Sequence, residues 1–363
     1  MTFFLGIDVY GQESVFFGSY NGDKNAEGIL VYRLDTISGK LDKITAVKDV
    51  FNPSYLTISP NGKYVYACTD TRVPNSGSIT AYEFNAAKKS LTFLNNQKSG
   101  GENPVYVNVH HNGKWLVNSN YNESTVSVYP ILKNGVIDSL AQLIKYTEAS
   151  NVTKRQEKSH VHSAVFSPDQ AAIFFPDLGA DKIWMYPFES TQKQPVQTAK
   201  QDFIKTNPGS GPRHFTFSPN QKFAYCIEEL SGSISVYRYH NTRLEKIQDI
   251  KTHSTQVTEG FESADIHISP DGNFLYASNR GTEDNIAIFR IESNGMLKVV
   301  GYEPTHCKHP RSFAINKTGK FVIVANVISG TVTVFKRDFK TGKLQKLEQS
   351  LAIKNVSCVK TTL

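Results

Sequence analysis

The 363-residue chain has no run of 18 apolar residues, which excludes a helix spanning a bilayer. It has no C-x-x-C pair. Its four cysteines, Cys68, Cys226, Cys307 and Cys358, stand far apart, so the paired spacing of zinc and redox sites is missing. Two of them lie in apolar runs (YVYACTD, FAYCIEE), where a free thiol packs as a small hydrophobe. There is no G-x-S-x-G elbow, no phosphate loop and no dinucleotide fingerprint. The string NPGSGPRH leads into a strand rather than a helix, so it is no phosphate cradle. The formal charge is +7 and the pI about 9.0, yet no block of five or six basic residues occurs. The lysines, such as Lys40, Lys63, Lys88 and Lys343, are scattered through turns. They read as a solvated surface compatible with a small anionic partner, not as a nucleic-acid patch. No Pro-, Gly- or Ser-rich linker divides the chain, so residues 1–363 read as one domain. Met1–Val15 carries Asp8 and Glu13 without a basic start. It makes a poor leader, and the expected location is the cytoplasm by default, without a membrane partner.

What the chain has is repetition. SPNGKYVYA at Ser59 returns as HHNGKWLVN at His110, SPDQAAIFF at Ser167, SPNQKFAYC at Ser218, SPDGNFLYA at Ser269 and NKTGKFVIV at Asn316, in steps of 47 to 57 residues. A period near 50 residues belongs to propeller blades of four strands. Each unit has a short run (PSYLTIS), a tight turn, a β-rich strand, a strand alternating apolar and polar residues (SITAYEF), and a weaker outer strand (SLTFLNN). The pattern is that of antiparallel strands. Third strands number seven: GILVYRL, SITAYEF, TVSVYPI, KIWMYPF, SISVYRY, NIAIFRI and TVTVFKR. The first lacks an inner strand before it, and Val356–Leu363 is the natural segment to supply one. The expectation is an all-β, seven-bladed β-propeller of four-stranded antiparallel blades, its ring closed by N- and C-terminal strands in one blade.

In such a ring, the start of each first strand and the end of each second strand lie at the same end of a hairpin. Residues there should gather around one mouth of the central channel. First-strand starts hold His160 and His162 (SHVHSAVF), Arg213 and His214 (GPRHFTF), Asp265 and His267 (ADIHIS), and Arg311 (HPRSFAI). Second-strand ends hold Asn120 and Tyr121, Asp177, Glu229, and Asn279 and Arg280. Blade two is poorer, with Asn52-Pro53-Ser54 and Asp70. His160 and His162, two apart on a strand, share a face. A lone strand His is usually a core residue, Arg213 alone suits an inter-blade ion pair, and Asp177 and Asp181 suit tight turns. His110 and His111, in a turn, read as surface residues. The joint placement of Arg213, Arg280, Arg311, His160, His162 and Glu229 points instead to a functional cleft, because charges are rarely buried without partners. No metal is expected. His306-Cys307-Lys308-His309 matches no standard zinc spacing, and the acids are too interspersed with arginines for calcium.

At these residues the chain resembles the lactonase family of seven-bladed propellers, which includes propeller-type 6-phosphogluconolactonases and a carboxymuconate-lactonizing enzyme. The shared strings are HVHSAVFSPD, PDLGAD, GSGPRHFTFSP, EEL, ADIHISPDG, SNRG and HPRSF, in order across Ser159–Phe313. The resemblance implies roles for a His of the H-x-H pair (His160 or His162), Arg213, Glu229 and Arg280. It departs at Glu228, where the family usually has Asn. That carboxylate either adds charge near the site or points away from it.

Opening a lactone requires an activated water, a group that stabilises the tetrahedral oxyanion, and proton delivery to the leaving alkoxide. The expectation is His162 or Glu229 as base, Arg213 and Arg280 as charge stabilisers, and Arg311 and His214 as substrate-positioning groups. Asn120, Tyr121, Asp177, His267 and Asn279 are further expected contacts. No cofactor is expected. The expected partner is a small anionic lactone, such as 6-phosphogluconolactone, and the chain is expected to be a monomer or weak homo-oligomer. A muconate-type cycloisomerase would use the same arginines for two carboxylates, and a non-catalytic binding propeller is the third reading.

Overall fold

The computed structural model of the chain describes residues 12–362. Residues 1–11, most of the segment read as a poor leader, lie outside the described residues. Seven sheets of four antiparallel strands form the blades. Blade one is built from both ends of the chain. Val356–Thr361 is its inner strand and pairs with Gln12–Ser19, which is followed by Ile29–Asp35 and Leu41–Val47. Tyr20 and Asn355 extend this closure by a backbone hydrogen bond of 3.0 Å. Blades two to seven then follow in chain order, inner strand first.

The recurring Ser-Pro-Asx string forms one turn, used repeatedly. The Ser59 hydroxyl donates to Asn61 Oδ1 at 2.7 Å, and the backbone N–H of Gly62 donates to the Ser59 carbonyl at 2.8 Å. Ser167–Asp169, Ser218–Asn220 and Ser269–Asp271 repeat the side-chain bond at 2.5 to 2.7 Å. Gly62 and Gly272 sit at φ +70° and +73°, the left-handed region that glycine enters without steric cost. His110 heads the equivalent turn of blade three. It is not the surface residue its turn position suggested: it is buried and stacks on Phe188 at 5.0 Å. His111 is exposed, as expected.

Neighbouring blades are joined by a second repeated contact. The hydroxyls of Tyr66, Tyr225 and Tyr276 donate to the carbonyls of Gly135, Gly295 and Gly342, 2.8 to 3.0 Å away in the outer turn of the next blade. Sandwiched this way, the middle strands are buried on both faces. Ser78–Asn85 alternates in chemistry but hardly in exposure, and its Thr80 hydroxyl is satisfied by Thr69 at 2.7 Å. Outer strands such as Ser90–Lys98 meet water along their length.

Candidate active site

Among the described residues five inner strands carry a register shift near their start, at Pro104/Tyr106, Pro212/His214, Ser263/Ile266, Pro310/Ser312 and, on the closing strand, Val356/Cys358. A β-bulge re-aims side chains and is common beside active sites. Here it lets consecutive residues serve different ends of the channel. Arg213 reaches Glu229 at the first mouth, while His214 lines a cavity at the other.

The first mouth opens onto a cavity of about 370 Å³. His162, Glu229, Arg280, Arg311 and Tyr121 line it, together with Tyr20, Arg72, Asn103, Val105, Arg155, Glu262 and His309. Glu229 organises the charges. Its Oε2 accepts from Arg213 Nε at 2.8 Å and lies 3.2 Å from Arg280 Nη2, and its Oε1 accepts from Arg155 Nη1 at 2.5 Å. Burial alone would raise the Glu229 carboxyl. Arg280, Arg213 and Arg155 together outweigh it and hold the carboxyl well below the usual range. Arg280 also donates from Nε to the Glu262 carbonyl at 3.1 Å. Five arginines thus face or back the cavity against two carboxylates, Glu229 and Glu262. Arg72 and Arg311 have no carboxylate partner among the described residues. Instead both guanidinium groups lie over Tyr20, at 3.7 and 5.5 Å from its ring centre.

The two imidazoles of the cavity are neutral at physiological pH. Burial first, then Arg213 and His214, pushes His162 well below the usual histidine value. Burial first, then Arg280 and Arg311, brings His309 down to about 3. A neutral imidazole is an acceptor and can take a proton. Such an Arg-rich cavity with neutral histidines can hold an anion, polarise a carbonyl and activate water.

His160 lies beside this cavity, not in its lining. Its ring stacks on Tyr121 at 4.1 Å and its Nδ1 contacts the Tyr121 carbonyl oxygen at 2.8 Å. Three expected contacts are built into the scaffold. Asp177 accepts from Ser159, Trp184 and the His160 backbone. Asn120 donates to the Ser99 carbonyl at 2.8 Å, and Asn279 to the Thr252 carbonyl at 2.6 Å. His214 and His267, expected at the same mouth, line the opposite cavity of about 410 Å³ with Tyr55, Tyr106, Asp265 and Lys360. Glu228 points away from the arginines into a group of serines. It accepts from Ser233 at 2.9 Å and Ser235 at 2.7 Å, and burial raises its carboxyl.

Sequence reasoning passed over Arg72, Arg155 and His309. Arg155 sits on a short 3-10 turn (Lys154–Gln156) in the connection to blade four, outside the repeat frame that guided the search. The equivalent position after the second strand of blade two gives Arg72, two residues beyond Asp70, so a slightly wider window would have found it. His309 opens the HPRSF string, but the repeat frame singles out Arg311, two residues on.

The family described as "Lactonase, 7-bladed beta-propeller" matches residues 14–361. A 6-phosphogluconolactonase of Formosa agariphila is 41% identical over 345 residues, 94% of this chain and 98% of that protein. A 6-phosphogluconolactonase of Bacillus subtilis is 30% identical over 338 residues, 92% and 94% of the two chains. Among solved structures, a periplasmic gluconolactonase of Pseudomonas aeruginosa superposes with a TM-score of 0.91 at 32% identity, covering 97% of this chain and 99% of that one. On blade architecture and on sequence, this chain belongs to the lactonase family of seven-bladed β-propellers.

Proposed function

We propose that this protein hydrolyses a sugar-acid lactone bearing an anionic group, with 6-phosphogluconolactone as its substrate. The observation that carries this reading is the surplus of arginine in the cavity, above all Arg72 and Arg311, which lack carboxylate partners among the described residues. The names of the relatives from Formosa agariphila and Bacillus subtilis support it. Arginine grips phosphate with a planar fork of donors, so this pair suits the phosphate end. The lactone carbonyl then faces Arg280 and Arg155, whose donors meet the developing oxyanion.

His162 supplies the base. It takes a proton from water as the water oxygen attacks the carbonyl carbon. It returns that proton to the ring oxygen when the acyl C–O bond breaks, and the carboxyl of the open hydroxy acid releases the water's second proton to solvent, leaving the carboxylate. Glu229 is held ionised by three arginines, so it is a weak base, and its work is to fix their forks. The burial that depresses His162 persists during turnover, but the field of the arginines is offset once an anion binds. Substrate therefore makes His162 a better base than it is in the empty cavity.

The test is the hydrolysis of freshly generated 6-phosphoglucono-δ-lactone and of glucono-δ-lactone, each above its spontaneous rate. Turnover favouring the phosphorylated lactone is expected. No turnover of either overturns the reading, and equal turnover of both overturns the phosphate assignment.

A further inference from the structure

At the centre of the channel, between the two mouths, His162 and His214 lie side by side from adjacent blades, ring centres 5.5 Å apart and planes at 68°. Each carries one buried ring nitrogen with no hydrogen-bond partner among the described residues: Nδ1 of His162 and Nε2 of His214. A buried polar atom left unpaired forfeits its hydration without compensation, and two such atoms on neighbouring rings call for a common explanation.

Their protonation is set from behind. His214 Nδ1 is 2.7 Å from Asp265 Oδ1. Asp265 also accepts from the backbone N–H groups of Ile266 and Phe313, at 3.0 and 3.1 Å, using both of its oxygens. A carboxyl so surrounded by donors is an acceptor, so His214 carries its proton on Nδ1 and offers a lone pair at Nε2. His162, acting as base from Nε2, must carry its own proton on Nδ1. The unpaired atoms are therefore a donor and an acceptor on neighbouring rings.

We propose that His162 Nδ1–H donates to His214 Nε2 through one bridging water, so that Asp265 and His214 form a relay that fixes the tautomer and orientation of His162. At a centre-to-centre separation of 5.5 Å the two nitrogens make no direct hydrogen bond, and the spacing suits a single bridging water. His214 and Asp265 are then positioning residues that act through His162. They belong to the opposite wall of the channel and touch no substrate. The inference rests on His162 being the base in the lactonase reading.

Two variants and one spectroscopic measurement test it. Phenylalanine keeps the ring shape of His214 but accepts nothing. Glutamine can donate to Asp265 and accept from His162. His214→Phe is expected to lower kcat by roughly 10²-fold with KM unchanged, within the ordinary contribution of a positioned base. His214→Gln is expected to restore kcat to within several-fold of wild type. If His214→Phe, folded by circular dichroism, keeps kcat within threefold, or if His214→Gln falls as far as His214→Phe, the relay is overturned. Histidine 15N shifts of the wild-type protein give a readout independent of turnover. The Nδ1–H tautomer is expected for both His162 and His214, and an Nε2–H or rapidly averaging His162 overturns the relay. If the wild type opens neither lactone but shows these tautomers, the functional reading fails while the relay stands.

Discussion

Glu229→Gln isolates the electrostatic design of the cavity, since the side chain keeps its shape and loses only its charge. The Glu229 side chain is 4% exposed, and its partners Arg213, Arg280 and Arg155 are 1%, 6% and 46% exposed. The pair with Arg155 is half in water and contributes little. The pairs with Arg213 and Arg280 are buried, and removing one partner of a buried ion pair typically costs about 3–5 kcal/mol because it strands the other charge. Glutamine still accepts one hydrogen bond from Arg213, so a loss of about 3 kcal/mol, at the lower end, is expected. Urea unfolding followed by the fluorescence of Trp115 and Trp184, both buried, measures it. The loss should be the same at pH 7 and pH 5. A carboxyl held below its unfolded value contributes its full stabilisation above that value, about 4.3, and loses it only as pH falls through the depressed folded value. Inorganic phosphate should then stabilise the variant more than the wild type, because it replaces the missing negative charge and binds only the folded protein. A variant within about 0.5 kcal/mol of wild type, a surface-like value, would refute the reasoning. So would a difference that vanishes between pH 7 and pH 5, since the Glu229 carboxyl would then take up its proton above pH 5, raised by burial rather than lowered by its arginines.

Arg72→Ala removes an exposed arginine that makes no described ion pair. It should raise KM for 6-phosphogluconolactone about tenfold or more, the worth of a charge-assisted hydrogen bond, while KM for gluconolactone stays put, as steady-state kinetics on both lactones would show. Burial first, then Arg213, lowers His214 to about 3. The unfolded chain therefore takes up a proton there that the folded chain refuses, and stability falls as pH drops below about 6.5. Between pH 6.5 and 5 the stability of His214→Gln should decline less steeply than that of wild type, by about 1.4 kcal/mol per pH unit; parallel slopes would show that His214 titrates normally. Deleting 356–363 strips blade one of its inner strand and of Val356, Cys358 and Val359, all fully buried. At about 1.5–3 kcal/mol for each large apolar side chain, before the lost ladder, the ring should fail to close, and circular dichroism should show an unfolded or aggregated protein.

The fold was legible because it is repetitive. One Ser-Pro-Asx turn, one Tyr-to-Gly bridge and one strand pattern recur, so a signal weak in each blade becomes strong over seven. Even the closing strand followed from counting, since a third strand without an inner partner needed one from the far end. The site was legible in part for the same reason. Strand starts and ends fall at fixed places in each repeat, which brought His162, Arg213, Glu229, Arg280 and Arg311 to one mouth. What misled was strand regularity. His214 and His267 were assigned to that mouth, and only the register shifts at the inner-strand starts send His214 and Asp265 toward the opposite cavity. A bulge adds one residue to one strand and leaves no mark in composition.

Sequence alone therefore determined the blade count, the closure and the chemistry crowded at the hairpin ends, because these depend on local patterns read at a fixed period. Tertiary structure decided which of those side chains share a cavity and which are locked into the scaffold, as Asn120, Asp177 and Asn279 are. It also decided that Arg155, from a connection outside the repeat, completes the grip on Glu229. The physical reason is that ionisation and hydrogen bonding depend on distances of a few ångströms between residues scores of positions apart, and only the closed ring sets those distances.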